Sequence, residues 1–225
     1  KYGDSEVRIG ELGDFSFNVV TKFPKVVNRQ DLRLSLSNSL KRLKADFVHG
    51  LLAHEPNSLL SLPSLWDELL ELKFQGKVKK IGYSLYAPEQ LEKLMELGCI
   101  PEIVQIPYSL LDRKFEGYLE LLKQHNTEVH VRSIFLQGLY FMDPSCLPKK
   151  LQPLKKSLLD LNKLCLNEKK SVAEIALSFV SKNPYIDQMV IGIESAQQLN
   201  ENIELISNQT LSPEFFLKLD SINVK

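Results

Sequence analysis

From residue 46 to residue 56 the chain reads Asp46-Phe-Val-His-Gly-Leu-Leu-Ala-His54-Glu55-Pro56. The apolar run is typical of a parallel strand that is covered on both faces. It ends in a histidine, a carboxylate and a proline, and the carboxyl ends of barrel strands lie among the active-site loops. His54 is therefore the first candidate for a functional residue.

An earlier segment has the same form. It reads Phe15-Ser-Phe-Asn-Val-Val-Thr-Lys22, an apolar run that ends in a lone lysine. Because parallel strands end at one edge of a sheet, we expect Lys22 and His54 to lie at the same edge. Taken alone, Lys22 is more typical of a solvated strand terminus than of a catalytic residue.

Helical patterns separate these strands and those that follow. Leu32, Leu36, Leu40 and Leu43 recur every three or four residues, which predicts a helix over residues 30–43. The alternation then continues with helices over 64–75, 88–97, 115–124, 154–166 and 171–182, strands over 79–84, 102–107, 127–133 and 188–192, and a helix that begins at Ser195.

This alternation predicts an α/β fold with parallel strands, either an open doubly wound sheet or a closed barrel. No Gly-x-Gly-x-x-Gly motif follows any strand. Six strand–helix units are visible, whereas a complete (β/α)8 TIM barrel has eight and spans about 250 residues. We predict a single barrel domain over residues 1–225, with its first strand–helix units preceding Lys1.

Composition argues against several classes of function. With 44% apolar and 25% charged residues, the 225-residue chain has the composition of an ordinary globular domain. Lys and Arg number 28, as do Asp and Glu, so no basic stripe is offered to a nucleic acid. No apolar run approaches the roughly 20 residues that a membrane span needs.

Cysteine and histidine usage predicts a cytoplasmic protein without a metal site. Cys99, Cys146 and Cys165 are odd in number and lack redox or ligand spacing, as expected of reduced thiols. The remaining histidines likewise show no ligand spacing, and we interpret them as structural or surface residues; they are His49, His125 and His130.

Taken in order, several short motifs resemble those of the aldo-keto reductase family, whose members are eightfold barrels that use nicotinamide cofactors. The motifs are Tyr2-Gly3-Asp4-Ser5-Glu6, Val20-Thr21-Lys22, Leu51-Leu52-Ala53-His54-Glu55-Pro56, Gln75-Gly76-Lys77-Val78, Ile81-Gly82-Tyr83-Ser84, Ile103-Val104-Gln105, Phe135-Leu136-Gln137-Gly138-Leu139, Val190-Ile191-Gly192 and Ser195-Ala-Gln-Gln198-Leu-Asn-Glu-Asn202. Each motif is weak singly, and their common order and spacing carry the resemblance.

The resemblance implies reduction of an aldehyde or ketone by hydride transfer from NAD(P)H. Tyr2 is then the proton donor, and Lys22 lowers its pKa from the ordinary value of about 10. His54 is then the hydrogen-bond donor to the carbonyl oxygen. The family's aspartate, which pairs with the lysine, lies five residues before the tyrosine and therefore ahead of Lys1.

For the cofactor, the resemblance implies Ser84 and Gln105 at the nicotinamide carboxamide, with Leu85 where the family has asparagine. Arg132 takes the position where many members stack an aromatic ring. The further positions implied are Ser133 and Gly138 in the loop near the pyrophosphate, and Gly192, Ile193, Ser195, Gln198 and Asn202 at the adenosine end. Relatives that use NADP often carry a basic residue there, whereas this chain has Glu194 and Gln198; NADP is predicted, with NAD as the alternative.

Two other hypotheses stay open. A nicotinamide-binding sensor or interaction subunit with little turnover is compatible with Leu85 and with an aspartate position ahead of Lys1. A non-redox TIM-barrel enzyme is the third, and it would not bind a nicotinamide cofactor. The carbonyl substrate and the oligomeric state are not readable from the sequence.

Overall fold

The structure, a computed structural model, describes residues 3–13, 16–207, 213–220 and 222. The chain divides into two compact units, each built from two stretches of sequence. The first unit is Lys1–Ile106 with Glu120–Val129, and the second is Pro107–Leu119 with His130–Lys225. The single domain predicted from the sequence stays a prediction.

Strands and helices alternate along most of the described chain, as the sequence predicts for an α/β fold. The strands are β1 (Val20–Phe23), β2 (Val48–Ala53), β3 (Val78–Ser84), β4 (Ile103–Pro107), β5 (Glu128–Arg132) and β6 (Gln188–Met189). The α-helices are α1 (Ser5–Glu11), α2 (Arg29–Leu43), α3 (Asn57–Ser61), α4 (Leu65–Phe74), α5 (Pro88–Glu96), α6 (Leu119–Gln124), α7 (Lys155–Glu168), α8 (Val172–Ser181), α9 (Ala196–Ser207) and α10 (Pro213–Asp220). Four 3-10 segments accompany them: Glu116–Tyr118, Leu136–Phe141, Pro144–Cys146 and Lys149–Leu154.

In the first unit, parallel strands lie in the order β1-β2-β3-β4. The side chains on one face of β1, β2 and β3 are almost completely buried under the helices, among them Phe23, Leu51, Ala53, Ile81 and Tyr83, each at most 1% exposed. In the second unit, β5 pairs in parallel with β6. Each pairing joins strands that are consecutive in the chain, which is the expected result of helical crossovers between neighbouring parallel strands.

Helix α2 shows why the local sequence folds as it does. Asn28 accepts a hydrogen bond from the backbone N–H of Asp31 at 2.8 Å and so caps the amino end of the helix. Leu32, Leu36 and Leu43 are at most 2% exposed. The apolar stripe predicted from the sequence is therefore the face that α2 buries.

Strands β3 and β4 approach each other closely at Gly82. A Cβ atom on Gly82 would lie 1.7 Å from the carbonyl oxygen of Ile103, closer than any real contact. Only glycine therefore allows this spacing between the strands. Glycine is required here by close packing and not by the geometry of a turn.

Several predicted boundaries were wrong. The strand predicted over 15–22 begins only at Val20, and Phe17 is 52% exposed, because β2 begins at Val48 and its ladder first reaches back to the carbonyl of Val19. The strand predicted over 188–192 has only two residues, and its pairing extends only to the hydrogen bond from Val190 N–H to the carbonyl of Val131.

The helix predicted over 115–124 starts as a 3-10 turn and becomes α-helical at Leu119. Three further helices, α1, α3 and α10, were not predicted. Each is five to eight residues long, too short for an apolar stripe to be read with assurance from the sequence.

Candidate functional site

The strand register of the first unit brings Lys22 and His54 to one face. Lys22 pairs with Leu52, and paired residues of parallel strands project to the same side. His54 lies two residues beyond Leu52, and its backbone N–H continues the ladder by donating to the carbonyl of Phe23 at 2.9 Å. Both side chains are half-buried at the carboxyl ends of their strands, as the sequence predicted.

Ser84 and Gln105 extend the same face across two more strands. Leu52 pairs with Gly82, two residues before Ser84, and Ser84 pairs with Gln105. All four polar side chains, from Lys22 to Gln105, therefore project from one face near the carboxyl ends of four successive strands. Residues that are far apart in sequence thus form one candidate site within the first unit.

A cleft of about 680 Å³ opens beside Lys22 and His54. Its walls come from β1, from the loops after β1 and β2, and from helices α1 and α2. Charged groups on these walls also include Glu6, Lys25 and Arg42. The cleft is therefore wide enough for a small organic molecule and carries both signs of charge.

Glu6 ties helix α1 to the strand that bears Lys22. It accepts hydrogen bonds from the Thr21 hydroxyl at 2.5 Å and from Arg42 Nε at 2.7 Å. Burial raises the pKa of Glu6, but hydrogen bonds from Thr21, Arg42 and Ser39 outweigh burial and leave that pKa below its ordinary value. Glu6 is therefore ionised at neutral pH, and it holds α1 against β1 and α2 in the wall of the cleft.

Ser84 and Gln105 are buried polar residues, only 2% and 5% exposed. Neither side chain forms a hydrogen bond with another residue in the described part of the chain. Neither residue contributes to the fully buried polar atoms that lack a partner, so the polar atoms of this pair are accessible to a ligand that brings its own donors and acceptors. The carboxamide of a nicotinamide ring is such a ligand, and the two residues fit the group.

Leu85 cannot provide the side-chain hydrogen bonds of the asparagine that the family has at this position. Its side chain is completely buried, and its backbone N–H donates to the carbonyl of Gln105 at 2.9 Å. The position therefore provides packing and a backbone hydrogen bond between the end of β3 and β4, and leucine has no side-chain amide with which to bind a ligand.

Tyr2, the predicted proton donor, lies outside the described residues. Three other tyrosines are poor substitutes because their pKa values move away from neutrality. Burial raises the pKa of Tyr83, burial together with the Glu116 contact raises the pKa of Tyr108, and burial raises the pKa of Tyr140 to about 12. None of these three is prepared to give up a proton at physiological pH.

In the second unit, the predicted pyrophosphate loop has an unusual backbone. Ser133, Leu136, Gln137 and Gly138 all have positive φ, and three of them carry side chains. Such conformations are unfavourable for residues other than glycine and often occur at functional sites. Arg132 Nη1 contacts Ser133 Oγ at 3.4 Å, so the two predicted residues lie together at the start of this loop.

The predicted adenosine-binding residues lie at the start of α9. Ser195 Oγ accepts from the Gln198 N–H at 3.1 Å, and Gln198 Oε1 accepts from the Glu194 N–H at 2.9 Å. These contacts make Ser195 a helix N-cap. Asn202 is 8% exposed on the next turns of α9, whereas Gly192 and Ile193 are exposed.

Within the described ranges, no group of three or more His, Cys, Asp and Glu side chains is arranged to hold a metal ion. No helix in the same ranges has both the length and the apolar character needed to cross a membrane.

Comparison with known proteins gives matches along nearly the whole chain. The family model described as "Aldo/keto reductase family" matches residues 2–224. The L-glyceraldehyde 3-phosphate reductase of Escherichia coli O157:H7 is 27% identical over 218 residues, which is 86% of this chain and 63% of that protein. The chain thus spans less than two thirds of the length of this relative.

Solved structures agree. The crystal structure of the thermostable aldo-keto reductase Tm1743 with the inhibitor epalrestat is 25% identical, with a TM-score of 0.78 over 98% of this chain and 78% of that one. The holo form of an aldo-keto reductase from Bacillus halodurans, AKR11C1, is 19% identical, with a TM-score of 0.80 over 96% of this chain and 76% of that one. The likeness confirms the predicted fold class, α/β of the TIM-barrel type.

Proposed function

Because this chain belongs to the aldo/keto reductase family, we propose that it reduces a small aldehyde or ketone to an alcohol with a nicotinamide cofactor. The observation that carries the proposal is the common face of Lys22, His54, Ser84 and Gln105, which the strand register brings about. A cytoplasmic location and a small-molecule substrate are parts of the same proposal.

In the proposed mechanism, a reduced nicotinamide held by the proposed cofactor residues would supply the hydride that the carbonyl carbon accepts. Tyr2 donates its phenolic proton to the carbonyl oxygen, where negative charge develops. The ammonium of Lys22 stabilises the phenolate and so lowers the pKa of Tyr2. A ring N–H of His54 donates a hydrogen bond to the same oxygen, which orients the substrate and stabilises the developing charge.

We assign cofactor contacts to both units, each on its own grounds. Ser84 and Gln105 are proposed to hydrogen-bond the carboxamide, because the strand register places them on the same face as Lys22 and His54. Arg132, Ser133 and Gly138 are proposed to contact the nicotinamide and pyrophosphate. Gly192, Ile193, Ser195, Gln198 and Asn202 are proposed at the adenosine end, where the N-terminus of α9 favours an anion.

The choice between NADP and NAD depends on the 2′-phosphate. Residues 192–202 contain no Lys or Arg, and Glu194 is exposed in this segment. A carboxylate repels the 2′-phosphate, so this segment does not by itself favour NADPH. NADP remains the proposed cofactor, with NAD as the alternative.

A fluorescence titration of the natural protein with NADPH and with NADH, followed by steady-state turnover of a reactive aldehyde, tests the proposal. Tight binding of one cofactor together with turnover supports a reductase and identifies the cofactor. Binding without turnover supports the sensor, the alternative with which Leu85 is compatible. Failure to bind either cofactor contradicts both.

A further inference from the structure

Beyond the strand ladder, one buried hydrogen bond joins the segment after Lys22 to the segment after His54. The backbone N–H of Val26 donates to Ser58 Oγ at 3.1 Å. Ser58 is 3% exposed and Val26 is 7% exposed. Ser58 is the second residue of α3, and each partner follows its site residue by four positions.

This contact matters because β1 is only four residues long. The ladder between β1 and β2 ends with the bond from the His54 N–H to the Phe23 carbonyl. The bond to Ser58 fastens the two segments again beyond that end. It thereby opposes separation of the strands at the end that bears the site.

The connections on both sides are stiff. Pro24 lies midway between Lys22 and Val26, and Pro56 lies midway between His54 and Ser58. Proline restricts φ to about −65°, so each four-residue connection has little freedom to absorb a displacement. A shift at the Val26–Ser58 contact is therefore transmitted to the backbone of Lys22 and His54.

Burial also makes the contact costly to lose. Without the Ser58 hydroxyl, the Val26 N–H would be left in a dry environment without an acceptor, and such a group carries its full desolvation penalty. We expect the loop to relieve that penalty by moving toward water, which would take the Lys22 segment away from the His54 segment.

We propose that Ser58 is a positioning residue that sets the arrangement of Lys22 relative to His54, an inference that rests on the proposed function. Ser58 itself need not contact the substrate. Its hydroxyl acts through the backbone of Val26, and the effect of its loss appears in proton transfer rather than in cofactor affinity.

The test is Ser58→Ala in the natural protein, measured with the cofactor and aldehyde that the unmodified protein uses. We expect kcat to fall roughly tenfold, because small misplacements of reacting groups cost one to two orders of magnitude. Cofactor affinity should not change. The loss of activity at alkaline pH should shift to higher pH, because a displaced Lys22 lowers the pKa of Tyr2 less. Ser58→Thr retains the hydroxyl and should therefore keep kcat and the pH profile of the unmodified protein.

Thr127→Ala is the matched control. Thr127 is 1% exposed and donates its hydroxyl to the carbonyl of Pro101 at 2.7 Å, at the amino end of β5 and so away from the carboxyl-end site. The Thr127→Ala substitution removes a buried hydroxyl of similar kind and should leave the pH profile unchanged. Equal falls in kcat for the two variants, with unmoved pH profiles, would reduce Ser58 to a purely structural role.

Hydrogen exchange separates the failure of this inference from the failure of the proposed function. Ser58→Ala should speed exchange of the Val26 amide whether or not the protein is a reductase. Faster exchange with unchanged kcat and pH profile overturns the positioning role alone, as does unchanged exchange. Absence of turnover in the unmodified protein overturns the reductase proposal and the positioning role together.

Discussion

Lys22 is the residue on which the proposed proton transfer depends most. A unit charge about 4 Å from a phenolate stabilises it by about 4 kcal/mol at an effective dielectric constant of about 20. That energy corresponds to a pKa lower by about three units, which brings a tyrosine from about 10 to near neutrality. Without such a cation, a tyrosine is a weak acid at physiological pH.

We therefore predict that Lys22→Met lowers kcat by about 10²–10⁴-fold, the range typical of general acid–base catalysis. The phenol must be protonated to donate, and its pKa rises when the cation is removed. The alkaline limb of the activity profile should accordingly shift to higher pH. Steady-state rates measured from about pH 6 to about pH 11 check this, because that range includes the ordinary tyrosine pKa of about 10.

Lys25→Met is the control for that variant. Lys25 lines the same cleft and is exposed, three residues further along the chain. Its removal changes the charge of the cleft by the same amount and should change kcat only slightly, because exposed charges are screened by solvent. Equal losses for the two lysines would show that the charge of the cleft matters and that Lys22 has no particular role.

At the scale of secondary structure elements, the spacing of β3 and β4 depends on one glycine. We predict that Gly82→Ala destabilises the protein by about 1–3 kcal/mol, the usual cost of inserting a methyl group into a packed region. The added Cβ would meet the Ile103 carbonyl at 1.7 Å, so the strands must separate where Ser84 and Gln105 pair. The unfolding temperature should fall, and cofactor affinity should weaken.

Gly117→Ala serves for comparison. A Cβ atom at Gly117 has no neighbour within 4 Å, and its φ is not in the left-handed region. That substitution should leave stability unchanged or slightly higher, since alanine loses less backbone entropy on folding than glycine does. If both variants unfold at the same temperature, the close approach at Gly82 does not limit the packing of β3 on β4.

The helices differ in how well they can be predicted from their sequences. Helix α2 has an apolar stripe, an Asn28 cap and fifteen residues, and its prediction was correct to within one residue. Helix α3 has only five residues, begins after Pro56 and depends on its surroundings for stability. Ser58 could not be recognised as an acceptor from the sequence, because its donor lies 32 positions away.

At the scale of the whole molecule, each compact unit carries residues proposed to contact a cofactor, and each set is proposed on its own grounds. Ser84 and Gln105 belong to the first unit, whereas Ser133 and Gln198 belong to the second. A ligand that binds only the native state stabilises it by about 2.7 kcal/mol at a concentration one hundred times its Kd. Cofactor binding should therefore stabilise the native state of the protein.

We predict that saturating cofactor raises the unfolding temperature and slows amide exchange in both sets of residues, around 84–105 and around 192–202. Hydrogen exchange read by mass spectrometry distinguishes the two regions. Protection confined to residues 192–202 would contradict the roles assigned to Ser84 and Gln105. AMP, which carries the adenosine half of the cofactor without the nicotinamide, is the control for the adenosine end at the same concentration.

The sequence by itself determined the alternation of strands and helices, the apolar faces and the residue types at the strand ends, because local periodicity and composition carry those signals. Only the tertiary structure decided the register that brings Lys22, His54, Ser84 and Gln105 to one face, the close approach at Gly82 and the bond between Val26 and Ser58. Register and packing depend on hydrogen bonds and contacts between residues distant in sequence, and no short stretch of the chain encodes them.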